Sequence, residues 1–285
     1  MKRLLILGAN GQVGAALVAR ARQAGIAHAG LTRIQCDITD ARALKQAIAP
    51  GDVVVNCAAY TAVDSAERDA EAAQRVNALG ARNVASTCTA AGAPLVHIST
   101  DYVFDGESPR AAREDDSTRP LSVYGRSKHD GEIAVRECLD RHVILRTSWI
   151  FSAHGQNFVK TMLRLASQRA ELRVVDDQVG GPTAADDIAQ AILRLVDAAA
   201  RPAFAGWGTY HFSGTPAVSW CAFARAIVPP GVAVQPIATA DYPHPARRPL
   251  NSVLDCSRIG AVFDIAQPDW RVALRDVLAK LRERR

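Results

Sequence analysis

At 285 residues, with 48% hydrophobic and 22% charged side chains, the chain has an ordinary soluble globular balance and enough length for a substantial core. Its net charge of +5 is mild, much of the local excess sits in the tail "LAKLRERR", and no basic stripe with interleaved aromatics accompanies it, which argues against a nucleic-acid partner. No apolar stretch reaches membrane-spanning length, and the N-terminal apolar run meets a glycine too soon for a secretory core, so a reduced, cytoplasmic protein is expected.

In chain order, "RLLILGA" reads as a short buried strand that ends in glycine, followed by helical spacing over 12–24. A weaker strand is expected over 26–32. "DVVVNCAA" (52–59) is a second strong strand, and a long alanine-rich helix is expected across 66–91. "PLVHIST" (94–100) is the next strand, then come a polar loop, a helix across 125–139 and the strand "HVILRTSW" (142–149). Strands alternating with helices imply right-handed crossovers and a parallel sheet covered on both faces. The expected fold class is therefore α/β: a doubly wound parallel sheet of the Rossmann type with a smaller C-terminal α/β substrate-binding lobe. Beyond about residue 150 the rhythm loosens, although "NFVKTMLRLASQ" and "AADDIAQAILRLVDAA" still read as helices. The expected division is a dinucleotide-binding domain over 1–152, a lobe mainly over 153–285, and a return segment near 184–200.

The chemistry-bearing residues begin at "GANGQVG", where Gly8, Gly11 and Gly14 fall between a strand and a helix. Glycines there allow a tight turn and a close approach of backbone to a pyrophosphate, whose charge faces the helix N-terminus. About 20 residues on, where an acid would read a free ribose 2′-hydroxyl, stand Thr32 and Arg33. Arg33 could accommodate a 2′-phosphate or be plain solvent-facing charge; NADPH is the expected cofactor, with NADH tolerated. Tyr124 and Lys128 lie four apart on a helix face, so an ammonium could lower the phenol's pKa from about 10 toward the working range. Ser99, Thr100 and Asp101 end a strand on the side that faces the ligand crevice of an open parallel sheet, where a hydroxyl could meet a substrate carbonyl beside Tyr124. The six cysteines form no C-x-x-C pair and no metal-ligand spacing, Cys57 reads as a buried thiol, and the seven histidines look scattered.

With "GANGQVG", "STDYVFDG", "YGRSKHDGE", "LRTSWIF", "NFVKTMLRLA", "DDQVGGPT" and "PARRPLNSVLD" in that order, the chain resembles the extended short-chain dehydrogenase/reductases, and within them the dTDP-4-dehydrorhamnose reductases, over nearly its whole length. That resemblance implies NADPH-dependent reduction of the C4 ketone of dTDP-4-dehydro-L-rhamnose, with a dTDP-sugar as the small-molecule partner. Tyr124 would protonate the forming alkoxide, Lys128 would lower the Tyr124 pKa and hold the nicotinamide ribose, and Thr100 would orient the carbonyl. Gly11, Gln12 and Val13 would lie against the pyrophosphate and Asp37 and Ile38 beside the adenine. Ala59, Tyr60 and Thr61 would approach the ribose and nicotinamide. Asp101 and Trp149 match positions that contact the sugar nucleotide, though Trp149 could equally be a packing residue. Arg248 would hold substrate phosphates or close the second lobe. Relatives that dimerise through magnesium carry a glutamate where this chain has Ala15 and Ala16, so no metal is expected, with a monomer or homodimer left open. Rival readings are a reductase of the opposite C4 stereochemistry, a nucleotide-sugar epimerase using the same dyad, and a non-catalytic regulatory subunit.

Overall fold

Every residue of Leu4–Leu7 is fully buried, because alternate side chains of this strand enter two different cores. Leu4 and Ile6 face one side of a sheet, and Leu5 and Leu7 the other. The computed structural model describes residues 1–283. Its central sheet contains β1 (Arg3–Leu7), β2 (His28–Leu31), β3 (Asp52–Asn56), β4 (Leu95–Thr100), β5 (His142–Thr147) and a sixth strand, Gly208–His211. The spatial order is β2-β1-β3-β4-β5 followed by the sixth strand, with parallel pairing throughout. Leu4 lies opposite Val53 and Ile6 opposite Val55, so both cores run continuously across the sheet.

One core is closed by the helices Gln12–Gln23 and Ala185–Ala199, through Leu17, Ala21, Ile188, Ile192 and Leu195. The other is closed by Gly80–Ala91 and Val123–Cys138, through Val84, Ala85, Cys88 and Val135. Burying each such branched side chain contributes about 1.5–3 kcal/mol, and that term outweighs the weak helix propensity of the valines. A third core, around Phe151, Met162, Phe223, Trp270 and Leu274, belongs to the C-terminal lobe. There Glu171–Val175 pairs in parallel with Ala233–Ile237.

Two elements differ from the sequence reading. The helix expected over 66–91 is split: Val63–Ala66 is separate, and Ala70–Gln74 passes through the π-helical turn Arg75–Leu79 into Gly80–Ala91. The π turn carries Asn77, whose buried carboxamide clamps Tyr60 by accepting from its N–H at 2.8 Å and donating to its carbonyl at 3.0 Å. The return to the first sheet also extends beyond 184–200. Gly208–His211 pairs with β5, and Leu254, Cys256, Ile259 and Ile265 pack into the first core. The apolar spacing of these short segments does not distinguish one core from another. Of the basic tail, the helix Trp270–Glu283 is described, while Arg284 and Arg285 lie outside the described residues. Among the described residues no helix is long and apolar enough to cross a membrane.

Candidate active site

From β1 the chain crosses to β2 on one side, and from β2 it returns to β3 on the other, so a crevice opens above the carboxyl ends of β1 and β3. Gly8 makes that crevice possible. Its φ is +77°, and a Cβ there would stand 2.6 Å from the Ala58 nitrogen, inside any real contact distance. Gly11 is the N-cap of the first helix and supplies no side-chain acceptor, and the first turn holds no acidic residue. The uncapped N–H groups of that turn therefore suit an anionic diphosphate. Gly14 has a different role: a Cβ would meet the Gly8 carbonyl oxygen at 2.3 Å, so it packs beneath the turn and lines neither cavity described below.

A cavity of about 520 Å³ brings together Gly11, Gln12, Val13, Ala59, Thr61, Thr100, Asp101, Tyr124, Lys128 and Trp149. A second of about 270 Å³ is lined by Gly8, Gly11, Arg33, Asp37, Ile38, Ala59 and Tyr60, which gives the two a shared wall at Gly11 and Ala59. Arg33 is three-quarters exposed at the rim and pairs with Asp37 at 3.1 Å. The C-terminal lobe reaches the phosphate turn through Gln12, whose Oε1 accepts from Ser152 Oγ and Asn157 Nδ2, each at 2.9 Å.

Ser122 caps the helix Val123–Cys138 by accepting from Gly125 N–H at 3.1 Å. Tyr124 is thus held in the first turn. Gly125 permits close packing there, since a Cβ would come within 2.3 Å of the Tyr102 carbonyl oxygen. One turn beyond Lys128, Glu132 is wholly buried. It accepts from Ser99 at 2.6 Å and from Arg146 at 2.8 and 2.7 Å, and Arg136 reaches it at 2.7 Å. Burial alone would raise its carboxyl, but the Arg146 hydrogen bonds and charge hold it at about 2. These contacts hold the helix Val123–Cys138 against β4 and β5.

Thr100 Oγ1 donates to Asp101 Oδ1 at 2.9 Å and accepts from Tyr102 N–H at 3.2 Å. Burial pushes the Asp101 carboxyl up to about 7, with the hydrogen bond from Thr100 opposing, and its Oδ2 has no partner. Lys128 is 2% exposed; its Nζ donates to the Ile98 carbonyl at 2.7 Å and lies 3.5 Å from His97 Nε2. Burial pushes that ammonium down to about 8, with Glu132 and Cys57 opposing.

One expectation is corrected here. Burial pushes the Tyr124 phenol up to about 12, a hydrogen bond from Thr100 lowers it, and the Asp101 charge raises it; Lys128 is not among the groups that shift it. The ammonium points at the β4 backbone instead. The i, i+4 spacing puts both residues on one helix face, but it does not fix where a long lysine side chain sends its charge. A phenol at about 12 remains a competent acid toward a forming alkoxide, which is far more basic.

Trp149 combines both of its readings. It lines the crevice, yet its ring stacks on Trp220 at 3.5 Å, its Nε1 donates to Ser252 at 3.0 Å, and its φ of +45° takes the chain out of β5. Behind the stack lies a third cavity of about 370 Å³, lined by Phe158, Met162, Arg173, Trp220, Tyr242 and Arg248. Arg248 therefore lies outside the first two cavities. It is tied to Asp64 at 2.8 Å, so the 242–248 loop is latched to the first domain. Sequence reasoning missed Asn56, Asn77, His97, Phe158, Trp220 and Arg173. One histidine, His97, touches Lys128, and its place in "HIST" beside Thr100 was the available signal. The larger groove between the first helix, Ala185–Ala199 and Ser257–Phe263 contains none of these residues. Among the described residues no group of three or more His, Cys, Asp or Glu side chains could hold a metal.

A family model described as "RmlD substrate binding domain" matches residues 1–283. The dTDP-4-dehydrorhamnose reductase of Sinorhizobium fredii is 44% identical over 284 residues, covering 96% of this chain and 95% of that protein. The Aggregatibacter actinomycetemcomitans protein of the same name is 42% identical, over 98% of this chain and 99% of its own. Among solved structures, dTDP-4-dehydrorhamnose reductase from Bacillus anthracis in complex with NADP superposes with a TM-score of 0.90 at 36% identity, over 98% of this chain and 99% of that one.

Proposed function

The chain belongs to the dTDP-4-dehydrorhamnose reductase family, and from that premise we propose that it reduces the C4 ketone of dTDP-4-dehydro-β-L-rhamnose to dTDP-β-L-rhamnose at the expense of NADPH. The carrying observation is that one crevice is lined both by the glycine turn and by Thr100, Tyr124 and Lys128. A diphosphate-binding turn and a proton donor within one cavity are what a carbonyl reduction requires.

NADPH supplies the hydride. The first-helix N-terminus at Gly11–Val13 suits its diphosphate, while Arg33, Asp37 and Ile38 border the cavity assigned to its adenosine end. The Thr100 and Tyr124 hydroxyls polarise the substrate carbonyl, and Tyr124 gives its proton to the oxygen as negative charge develops there. Thr100 is buried and Tyr124 partly buried, so these groups act in a medium of reduced polarity, where such hydrogen bonds are strong. Trp149 and Asp101 wall the sugar. The cavity of Phe158 and Trp220, with Arg173 and Arg248 at its edge, takes the nucleotide: aromatic faces suit a base and guanidinium groups suit a diphosphate. A monomer or homodimer working in the cytoplasm is consistent with this chemistry.

The test is product identification. Incubation with NADPH and the 4-keto sugar, generated with its epimerase, should consume one NADPH per ketone and give the rhamno product by NMR. Recovery of unchanged ketone, or epimerisation without net NADPH consumption, refutes the proposal.

A further inference from the structure

Lys128 ends a line of buried hydrogen-bonding groups whose donor and acceptor roles are fixed by one backbone N–H. Ala58 N–H donates to Asn56 Oδ1 at 3.1 Å. A backbone N–H can only donate, so the Asn56 carboxamide is oriented with its oxygen toward Ala58 and its NH2 toward His97. Asn56 Nδ2 lies 3.2 Å from His97 Nδ1, and an amide nitrogen offers no lone pair. His97 Nδ1 is therefore the acceptor, and the single proton of the neutral imidazole sits on Nε2. Nε2 faces Lys128 Nζ at 3.5 Å, while Nζ donates to the Ile98 carbonyl at 2.7 Å. Asn56, His97 and Lys128 are each 1–2% exposed, so no water competes for these roles.

An ammonium has three donors and no acceptor, and here it would meet the Nε2–H donor head on. A neutral amine presents a lone pair that accepts it, and every group in the line is then satisfied. We propose that His97 holds its Nε2–H against Lys128 and thereby favours the amine form, which makes His97 a positioning residue that governs the protonation state of the catalytic lysine. The proposal rests on the reading of the cavity that Lys128 lines with Tyr124 as the reductase site.

The surrounding charges fit this arrangement. Lys128 faces His97 from β4, Cys57 from the end of β3, and Glu132 and Tyr124 on its own helix. The Glu132 charge, which favours the ammonium, is largely committed to Arg146 and Arg136. His97 is kept neutral well below 6.5 by burial and by Lys128, with Glu132 opposing and His142 and Arg136 adding to the effect. It therefore cannot answer the lysine by becoming a cation.

The decisive measurements are spectroscopic and do not depend on turnover. The chain has five lysines, Lys2, Lys45, Lys128, Lys160 and Lys280, so the 13Cε signal of Lys128 can be assigned by its loss in Lys128→Met. The ¹⁵N spectrum of the His97 ring, assigned in the same way with His97→Gln, should show the Nε2–H tautomer. In His97→Gln the carboxamide oxygen can turn to the ammonium, and the Lys128 midpoint should rise by roughly one pH unit, the size of a gained hydrogen bond to a charged group. The alkaline limb of kcat should move with it. An Nδ1–H tautomer, or a Lys128 midpoint that stays put in folded His97→Gln, overturns the proposal. If His97→Gln does not fold, the wild-type tautomer decides alone, assigned by elimination against the other six histidines. Failure of the reductase reading would show separately, as absent turnover by wild-type protein.

Discussion

The crevice at the strand ends and the cavity of the C-terminal lobe are built from opposite materials. In the crevice Thr100, Asp101 and Lys128 are each no more than 5% exposed, and they are held by short hydrogen bonds to strand backbone or to one another. The lobe cavity pairs aromatic faces with Arg173 on a strand and His244 and Arg248 on a loop, and its latch to the first domain is the partly exposed Asp64–Arg248 pair. Chemistry needs desolvated groups in fixed places, because reorganisation at the moment of proton transfer raises the barrier. Recognition of a charged nucleotide tolerates exposure, since guanidinium groups keep their charge and the binding energy is spread over several contacts.

That contrast predicts which kinetic constant each substitution moves. Tyr124→Phe removes the proposed proton donor without opening a cavity and should lower kcat by roughly 10²- to 10⁴-fold while NADPH affinity, read by fluorescence titration, is retained. A parallel loss of NADPH affinity would mean the crevice is not divided as described. Arg248→Ala should raise KM for the dTDP-sugar by roughly 10- to 100-fold, as expected for losing a charge-assisted contact, with kcat changed far less. A collapse of kcat instead would place Arg248 in the chemistry. Arg33→Ala should raise KM for NADPH by about tenfold and leave KM for NADH alone; equal effects on both would make Arg33 plain surface charge.

Asp101 sharpens the comparison through stability. Its folded-state pKa, about 7, lies above its unfolded value near 3.8. Between those values the native state binds the extra proton, so stability falls as pH rises through the window. Asp101→Asn should remove that dependence and raise Tm by roughly 4 °C at pH 8, with little change at pH 4. An equal shift at both values would exclude ionisation as the cause. The smallest expected effect is none at all: EDTA should leave turnover unchanged. Asp186, beside the first helix, is already engaged by Arg20 at 2.8 Å, and Ala15 and Ala16 offer no ligand. Loss of activity rescued by magnesium would contradict that.

Much of the first domain was legible because its signals are local. Buried parallel strands produce apolar runs such as "RLLIL" and "DVVVN", and a diphosphate turn at a strand–helix junction requires glycine at Gly8, whatever lies farther away. The C-terminal lobe was less legible, since Phe158, Arg173, Trp220 and Arg248 come from separated segments and no spacing links them. The π turn at Asn77 was hidden for a related reason: an alanine-rich stretch keeps helical periodicity through an inserted residue, and the cause lies in the Tyr60 backbone that Asn77 holds.

By itself the sequence determined most strands and helices of the first domain, the glycine turn and the placement of Tyr124 and Lys128 on one helix face, because covalent spacing and side-chain periodicity settle those. The folded chain alone decided how the ionisable groups behave: a Tyr124 phenol raised by burial, a lysine turned to the β4 backbone, an Asp101 carboxyl near neutrality and a histidine whose proton is assigned by Asn56. Proton affinity depends on desolvation and on the orientation of neighbours within a few ångströms, and those neighbours are brought together from β3, β4 and the helix Val123–Cys138 only by tertiary packing.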